Sequence, residues 1–224
     1  MPIYNAPLLA IDAQEARRYA GLQKAADFAE EKILAACEDA RLLAVPKGIW
    51  QLYDYDCETQ IIKANPSCQI QGKKIGRHLA GCEKIIALSA TIGEDIEETI
   101  TQRFAKGEYS SAVLMDAAAT AAVEQVADGM EKAIAPKMAA QGFLLKWRFS
   151  PGYGDWPLEQ QPDMVRLAQA EKIGVSLTSS MMLMPRKSIT AIIGLYRKQE
   201  KNAPEPAPKG CAACQQTDCP SRRK

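Results

Sequence analysis

The stretch richest in residues that can do chemistry is 147–161, WRFSPGYGDWPLEQQ. Arg148 offers a planar fork of donors that matches a carboxylate. Pro151 fixes its own φ and biases Ser150 toward an extended conformation, while Gly152 permits a φ that other residues avoid. Main-chain groups are therefore presented at a fixed, uncovered turn that a ligand can approach closely. Tyr153 and Trp156 add ring faces for a flat or cationic group. A small zwitterion joined to an aromatic base would meet all three demands. A structurally strained corner could carry the same residues, and composition alone leaves both readings open.

The second concentration of chemistry is Cys211-x-x-Cys214-x4-Cys219 near the end of the chain. Three soft thiolates at this spacing suit zinc or an iron–sulfur cluster. Each normally takes four ligands, so a fourth would come from Cys57, Cys68, Cys82 or a partner. A reactive-thiol tail without metal is the alternative. Seven cysteines is an odd number, and Cys37, Cys57, Cys68 and Cys82 are scattered through the first half. That distribution argues against a secreted disulfide framework and for packed, reduced thiols.

Other arrangements can be set aside. His78 is the single histidine, which removes any His-rich metal site. It stands beside Lys74 and Arg77 on a short polar segment and reads as a solvated surface side chain. Gly76 to Cys82 has the glycine spacing of a phosphate loop but Cys where Lys is required, and no Gly-x-Gly-x-x-Gly follows a strand. Asp54 and Asp56 alternate with Tyr53 and Tyr55, as on a solvated strand edge rather than in a carboxylate pair. The formal charge is +1, which gives no case for a nucleic-acid partner. No apolar run approaches the ~20 residues of a membrane helix, and the N-terminus has no basic leader. The expectation is a cytoplasmic protein without membrane contact.

The elements that must position these residues follow from pattern. Residues 12–42 are rich in Ala, Leu, Glu, Lys and Arg and read as helix, broken at Gly21. Strand composition follows around Trp50, Tyr53, Tyr55 and Ile61–Ile62, then a short helix at Lys74–Leu79 and a buried strand over 84–90. Ile92, Ile96, Ile100 and Phe104 recur every four residues, one apolar stripe of a helix whose first turn is acidic. An Ala-rich helix runs from about Ser110 to Met138, and 142–149 is a strand that delivers the loop. The run 162–173 is helical and stops at Gly174. Runs 175–184 and 188–197 read as two strands of a hairpin joined by Pro185-Arg186-Lys187. Beyond 199 the chain is Pro, Ala and charge, a linker by composition. The expected fold class is α+β, with a central, mostly antiparallel sheet flanked by helices. The expected organisation is an N-terminal helical and strand region (1–83) of the same domain, a core (84–199), a flexible linker (200–210) and a Cys-rich tail (211–224).

Arg148-x-x-x-Gly152-Tyr153 resembles the S-adenosylmethionine-binding signature of the activation domain of cobalamin-dependent methionine synthase. AEKIGVSLTSSMMLMPRKSITAIIGLYR (170–197) is similar to that family's Glu-Lys-x-x-Gly-x-x-Leu-Thr-x-Ser stretch and its following hairpin. SATIGEDIEETI and LMDAAATAAVEQVADGMEKAI resemble its preceding strand–helix–helix segment, so the likeness spans roughly 84–200. The resemblance implies shallow binding of S-adenosylmethionine beside a cobalamin held by a partner. An electron donor such as flavodoxin or ferredoxin would reduce inactive cob(II)alamin, and the bound sulfonium methyl would then pass to cobalt. Carried over, Arg148 binds the methionyl carboxylate, Gly152 lets the main chain approach, and Tyr153 packs against the ligand. Ser150 and Pro151 shape the turn that meets the adenine, and Glu124 is a partner for Arg148 or the ligand. The chain departs from the family after Gly-Tyr, with GDWPLEQQ in place of a Pro-Ala-Cys-Pro run ending in His. It shows no folate, homocysteine or cobalamin module, so the resemblance implies a stand-alone form acting on methionine synthase or another corrinoid protein. A redox or iron–sulfur accessory protein that does not bind S-adenosylmethionine is the alternative.

Overall fold

The computed structural model describes residues 3–5, 7–25 and 27–197. Asp12 opens α1 (Ala13–Tyr19) by accepting the amides of Gln14 and Glu15, a side-chain cap on otherwise unpaired donors. The helix stops ahead of Gly21, and α2 (Glu30–Leu43) follows. Then come β1 (Lys47–Asp56), β2 (Ile61–Ile62), β3 (Cys68–Gln69), α3 (Lys73–Leu79) and β4 (Lys84–Thr91). They are followed by α4 (Asp95–Ala105), α5 (Tyr109–Ala139), β5 (Phe143–Leu145), α6 (Gln161–Ala168), β6 (Ser176–Leu177), β7 (Leu183–Met184) and β8 (Ser188–Arg197).

One sheet organises the molecule, in the order β3-β2-β1-β4-β8-β5 with every neighbouring pair antiparallel. The fold is α+β, with helices on both faces of an antiparallel sheet. Strand alternation splits the core in two. Ile86, Leu88 and Ala90 of β4 join Ala191, Ile193 and Leu195 of β8 under α5, with α1, α2 and α4 completing that layer. Ile85, Ala87 and Ile192 face the other way, onto α3, α6 and Trp156. The many alanines of α5 are what let so long a helix lie flat on the sheet: Ala118, Ala119, Ala121, Ala122 and Ala127 are all buried.

The second face has its own close approach. A Cβ on Gly194 would lie 2.6 Å from the Cys82 sulfur and 2.9 Å from Leu79 Cδ2. Gly194→Ala is therefore expected to destabilise the protein by about 1–3 kcal/mol through overpacking, read as a lower midpoint of chemical unfolding. An unchanged midpoint would mean that α3 slides away at no cost.

Two expectations are corrected. Runs 175–184 and 188–197 do not form one hairpin. Instead β6 pairs with β7 in a separate two-stranded ribbon, because β8 already has β4 on one edge and β5 on the other. The stripe from Ile92 to Phe104 also ends early: Ile92 precedes α4, and Phe104 is exposed, tilted against Tyr109 at 6.3 Å. The linker 200–210 and tail 211–224, with Cys211, Cys214 and Cys219, lie outside the described residues.

Candidate functional site

The loop of interest grows out of the edge strand β5 through a change of register. Leu145 pairs with Leu195, and the Lys146 amide donates to the Gly194 carbonyl. Phe149 then exchanges both backbone hydrogen bonds with Ile192. Between those two pairs Lys146, Trp147 and Arg148 stand opposite Ile193 and Gly194, three residues against two, which is a β-bulge. The extra residue resets the alternation of the strand, so Lys146 and Trp147 both face the α3 side and Arg148 is turned to the other. Arg148 goes to α5, while Trp147 and Phe149 go to His78 and Trp156.

Arg148 meets three carboxylates there. Its Nη2 donates to Glu124 at 2.6 Å, and its Nη1 donates to Asp128 at 2.5 Å and to Glu131. Positions 124, 128 and 131 lie on one face of α5, so a single guanidinium can span them. Burial alone would lower its pKa, but the hydrogen bond and charge of Glu131 and the charges of Glu124 and Asp128 outweigh that and raise it. It is charged at every accessible pH. Among the described residues three of its five N–H donors are used in this way, which leaves Nε and one hydrogen of Nη2 for another acceptor. One cation against three anions leaves the cluster two negative charges in excess. The spacing of these acids on an Ala-rich helix is legible in the sequence, but only Glu124 follows from the resemblance.

Beyond the bulge the chain turns back at residues 150–157. Ser150 accepts from the Tyr153 amide, Gly152 donates to the Trp156 carbonyl, and Gly152 and Gly154 both have positive φ. Pro151 is buried beneath the turn, whereas Gly152, Tyr153 and Gly154 are exposed, Tyr153 by 68%. The main chain and one ring are thus open to a ligand, as the residue types suggested.

Trp156 is not. It is 2% exposed and its Nε1 donates to Gln160 at 2.7 Å. The Gln160 oxygen also accepts from the Gln71 amide, and its nitrogen donates to the Gln69 carbonyl. Trp156 is core, and the reading of its ring as a ligand face is corrected. Asp155 is structural too, its carboxylate accepting from the amides of Lys73 and Lys74 at the start of α3. At the other end of that helix Lys146 donates from Nζ to the carbonyls of His78 and Ala80, each at 2.7 Å. An acid at the N-terminus and a base at the C-terminus suit the helix dipole, so the loop brackets α3.

His78 is not a solvated surface side chain. Its Nε2 lies 2.8 Å from the Trp147 carbonyl, and its ring centroid lies 4.3 Å from that of Trp147 and 5.7 Å from that of Phe149. Burial lowers its pKa below the ordinary histidine value. Nothing in the local sequence announces a contact with a residue 69 positions away.

The scattered cysteines are free thiols. Burial raises Cys37 and Cys82 to about 11 and Cys68 to about 12, so all three stay protonated and unreactive at neutral pH. Among the described residues no group of three or more His, Cys, Asp or Glu could hold a metal ion, and no helix is long and apolar enough to cross a membrane. A hollow of about 550 Å³ lies beside α6, lined by Arg166, Lys172 and Ser176 among others, and one of about 300 Å³ lies near Phe28 and Tyr109. Neither is lined by residues 146–157. The surface at Gly152–Gly154 is an open one.

No protein-family model matches the chain, and no curated protein sequence matches it. Among solved structures, the chain is similar to the MetH reactivation domain bound to AdoHcy, with a TM-score of 0.59 and 13% sequence identity. The match covers 91% of this chain and 81% of that one, so the two share a fold through nearly the whole described molecule.

Proposed function

We propose that the chain binds S-adenosylmethionine at the 148–153 segment and presents its methyl group to a reduced corrinoid held by a partner protein. The observation that supports the reading is one bulged segment that carries an always-charged guanidinium at Arg148 and, four and five residues further on, an exposed main-chain turn at Gly152 and an exposed Tyr153. The fold around that loop is the one seen in the MetH reactivation domain. The two unused donors of Arg148 suit the methionyl carboxylate, and the surplus negative charge on α5 suits the ammonium group beside it. Gly152 lets the main chain come within hydrogen-bonding distance of the adenine, and Tyr153 covers it.

The reaction makes few chemical demands of this chain. A corrinoid held by the partner, kept reduced by an electron donor such as flavodoxin or ferredoxin, would supply the nucleophile that accepts the methyl group, and S-adenosylhomocysteine would be the product left at the 148–153 segment. No proton moves, so the transfer needs no general base. The work of this chain is orientation, which supplies rate by fixing the methyl group against cobalt.

Equilibrium titration with S-adenosylmethionine, with and without a cobalamin protein, tests this. Saturable binding is expected. Arg148→Lys keeps the charge but loses the fork and should bind about 10–100-fold more weakly, the worth of charge-assisted hydrogen bonds. No binding by the wild type under either condition would overturn the reading.

A further inference from the structure

We propose that His78 is a positioning residue for the ligand site: it holds the bulge at Trp147–Arg148 and so sets where the Arg148 guanidinium points. The inference rests on the function proposed above.

A bulge leaves its extra residue out of the ladder. The Lys146 amide and both polar groups of Phe149 are paired with β8, but the carbonyl of Trp147 faces away from it. His78 takes the place of the missing ladder partner. A carbonyl can only accept, so the Nε2 atom 2.8 Å away must carry the proton and donate. The ring also lies tilted against Trp147 at 4.3 Å, which fixes the peptide from a second direction.

The next peptide bond leads into Arg148, so a rotation that frees the Trp147 carbonyl also swings the Arg148 Cα–Cβ bond. Among the described residues, little else holds that segment on the α3 side. Lys146 anchors one residue earlier, and Asp155 anchors only after the turn. Because α3 is itself bracketed by Lys146 and Asp155, His78 stands on a platform tied to both ends of the loop it steadies.

Two variants separate hydrogen bond from bulk. His78→Phe keeps the ring contacts with Trp147 and Phe149 and drops the donor. His78→Gln drops the ring but places an amide N–H at nearly the reach of Nε2. The first readout needs no ligand: hydrogen exchange of the Phe149 amide, which donates to Ile192 at 2.9 Å. His78→Phe should raise its rate about tenfold, and His78→Gln should stay near the wild type. The second readout is affinity for S-adenosylmethionine, expected to fall about tenfold in His78→Phe and less than threefold in His78→Gln. Unchanged exchange in His78→Phe would overturn the proposal, as would raised exchange with unchanged affinity, or equal losses in both variants. If the wild type bound no S-adenosylmethionine, the reading of the function would fall, and exchange alone would then uphold or overturn the hold of His78 on the bulge.

Discussion

Trp156→Ala is expected to destabilise the protein by about 3–5 kcal/mol and to lower its melting temperature by roughly 10 °C. The side chain is buried among residues of the second core layer, which includes Ile75, Met164 and Ile192, with Phe149 at a centroid distance of 6.2 Å. Truncation removes a large apolar surface and leaves a cavity that α3 and α6, each tied down elsewhere, can only partly fill. The polar loss is smaller. Gln160 keeps its bonds to the Gln71 amide and the Gln69 carbonyl after the indole N–H is gone. Trp156→Phe, which retains most of the area, should therefore cost only about 1–2 kcal/mol. Thermal unfolding of both variants checks the ordering. Equal small losses would return Trp156 to the role of an exposed ring face.

The contrast between Trp156 and Tyr153 shows what was legible in the sequence. The composition of the loop announces its turn chemistry, and Gly152 and Gly154, both with positive φ, sit in the turn. Composition could not sort two aromatic residues three positions apart. That sorting depends on Asp155, whose pairing with α3 pulls the chain inward just before Trp156, a contact spanning about 80 residues. The same limit applies to His78. Lys74 and Arg77 near it in sequence are cationic and exposed, but its neighbours in space include Trp147 and Phe149.

Periodicity served well where one face of an element decides everything. The Ala-rich α5 and the buried β4 are both where their patterns put them. It failed for 175–184, because strand composition says nothing about which edge is already occupied. The bulge was invisible for a related reason: register shifts are set by the partner strand, and only the pairing of Leu145 with Leu195 and Phe149 with Ile192 reveals one. The spacing of Arg148 to Gly152 and Tyr153 is legible in the sequence. That it already grips α5 was foreseen only through Glu124.

That grip leads to an asymmetry in stability. Arg148→Leu should cost about 2–3 kcal/mol, whereas Glu131→Gln or Asp128→Asn should each cost less than about 1 kcal/mol. Removing the guanidinium abolishes three attractions at once and leaves three carboxylates on neighbouring turns of α5, where like charges repel. Removing one acid abolishes one attraction but also its two repulsions with the other acids, and the guanidinium keeps two ionised partners. The side chains involved are between 20% and 43% exposed, so solvent screens every one of these terms, and the figures are set below those for fully buried pairs. The difference should shrink in high salt, since the carboxylates left by Arg148→Leu are the best screened of all. Urea unfolding of the three variants at low and high ionic strength measures it. If an acid variant loses as much as Arg148→Leu, the cluster is held by that single pair, and the remaining carboxylates would be free to meet a cationic ligand instead.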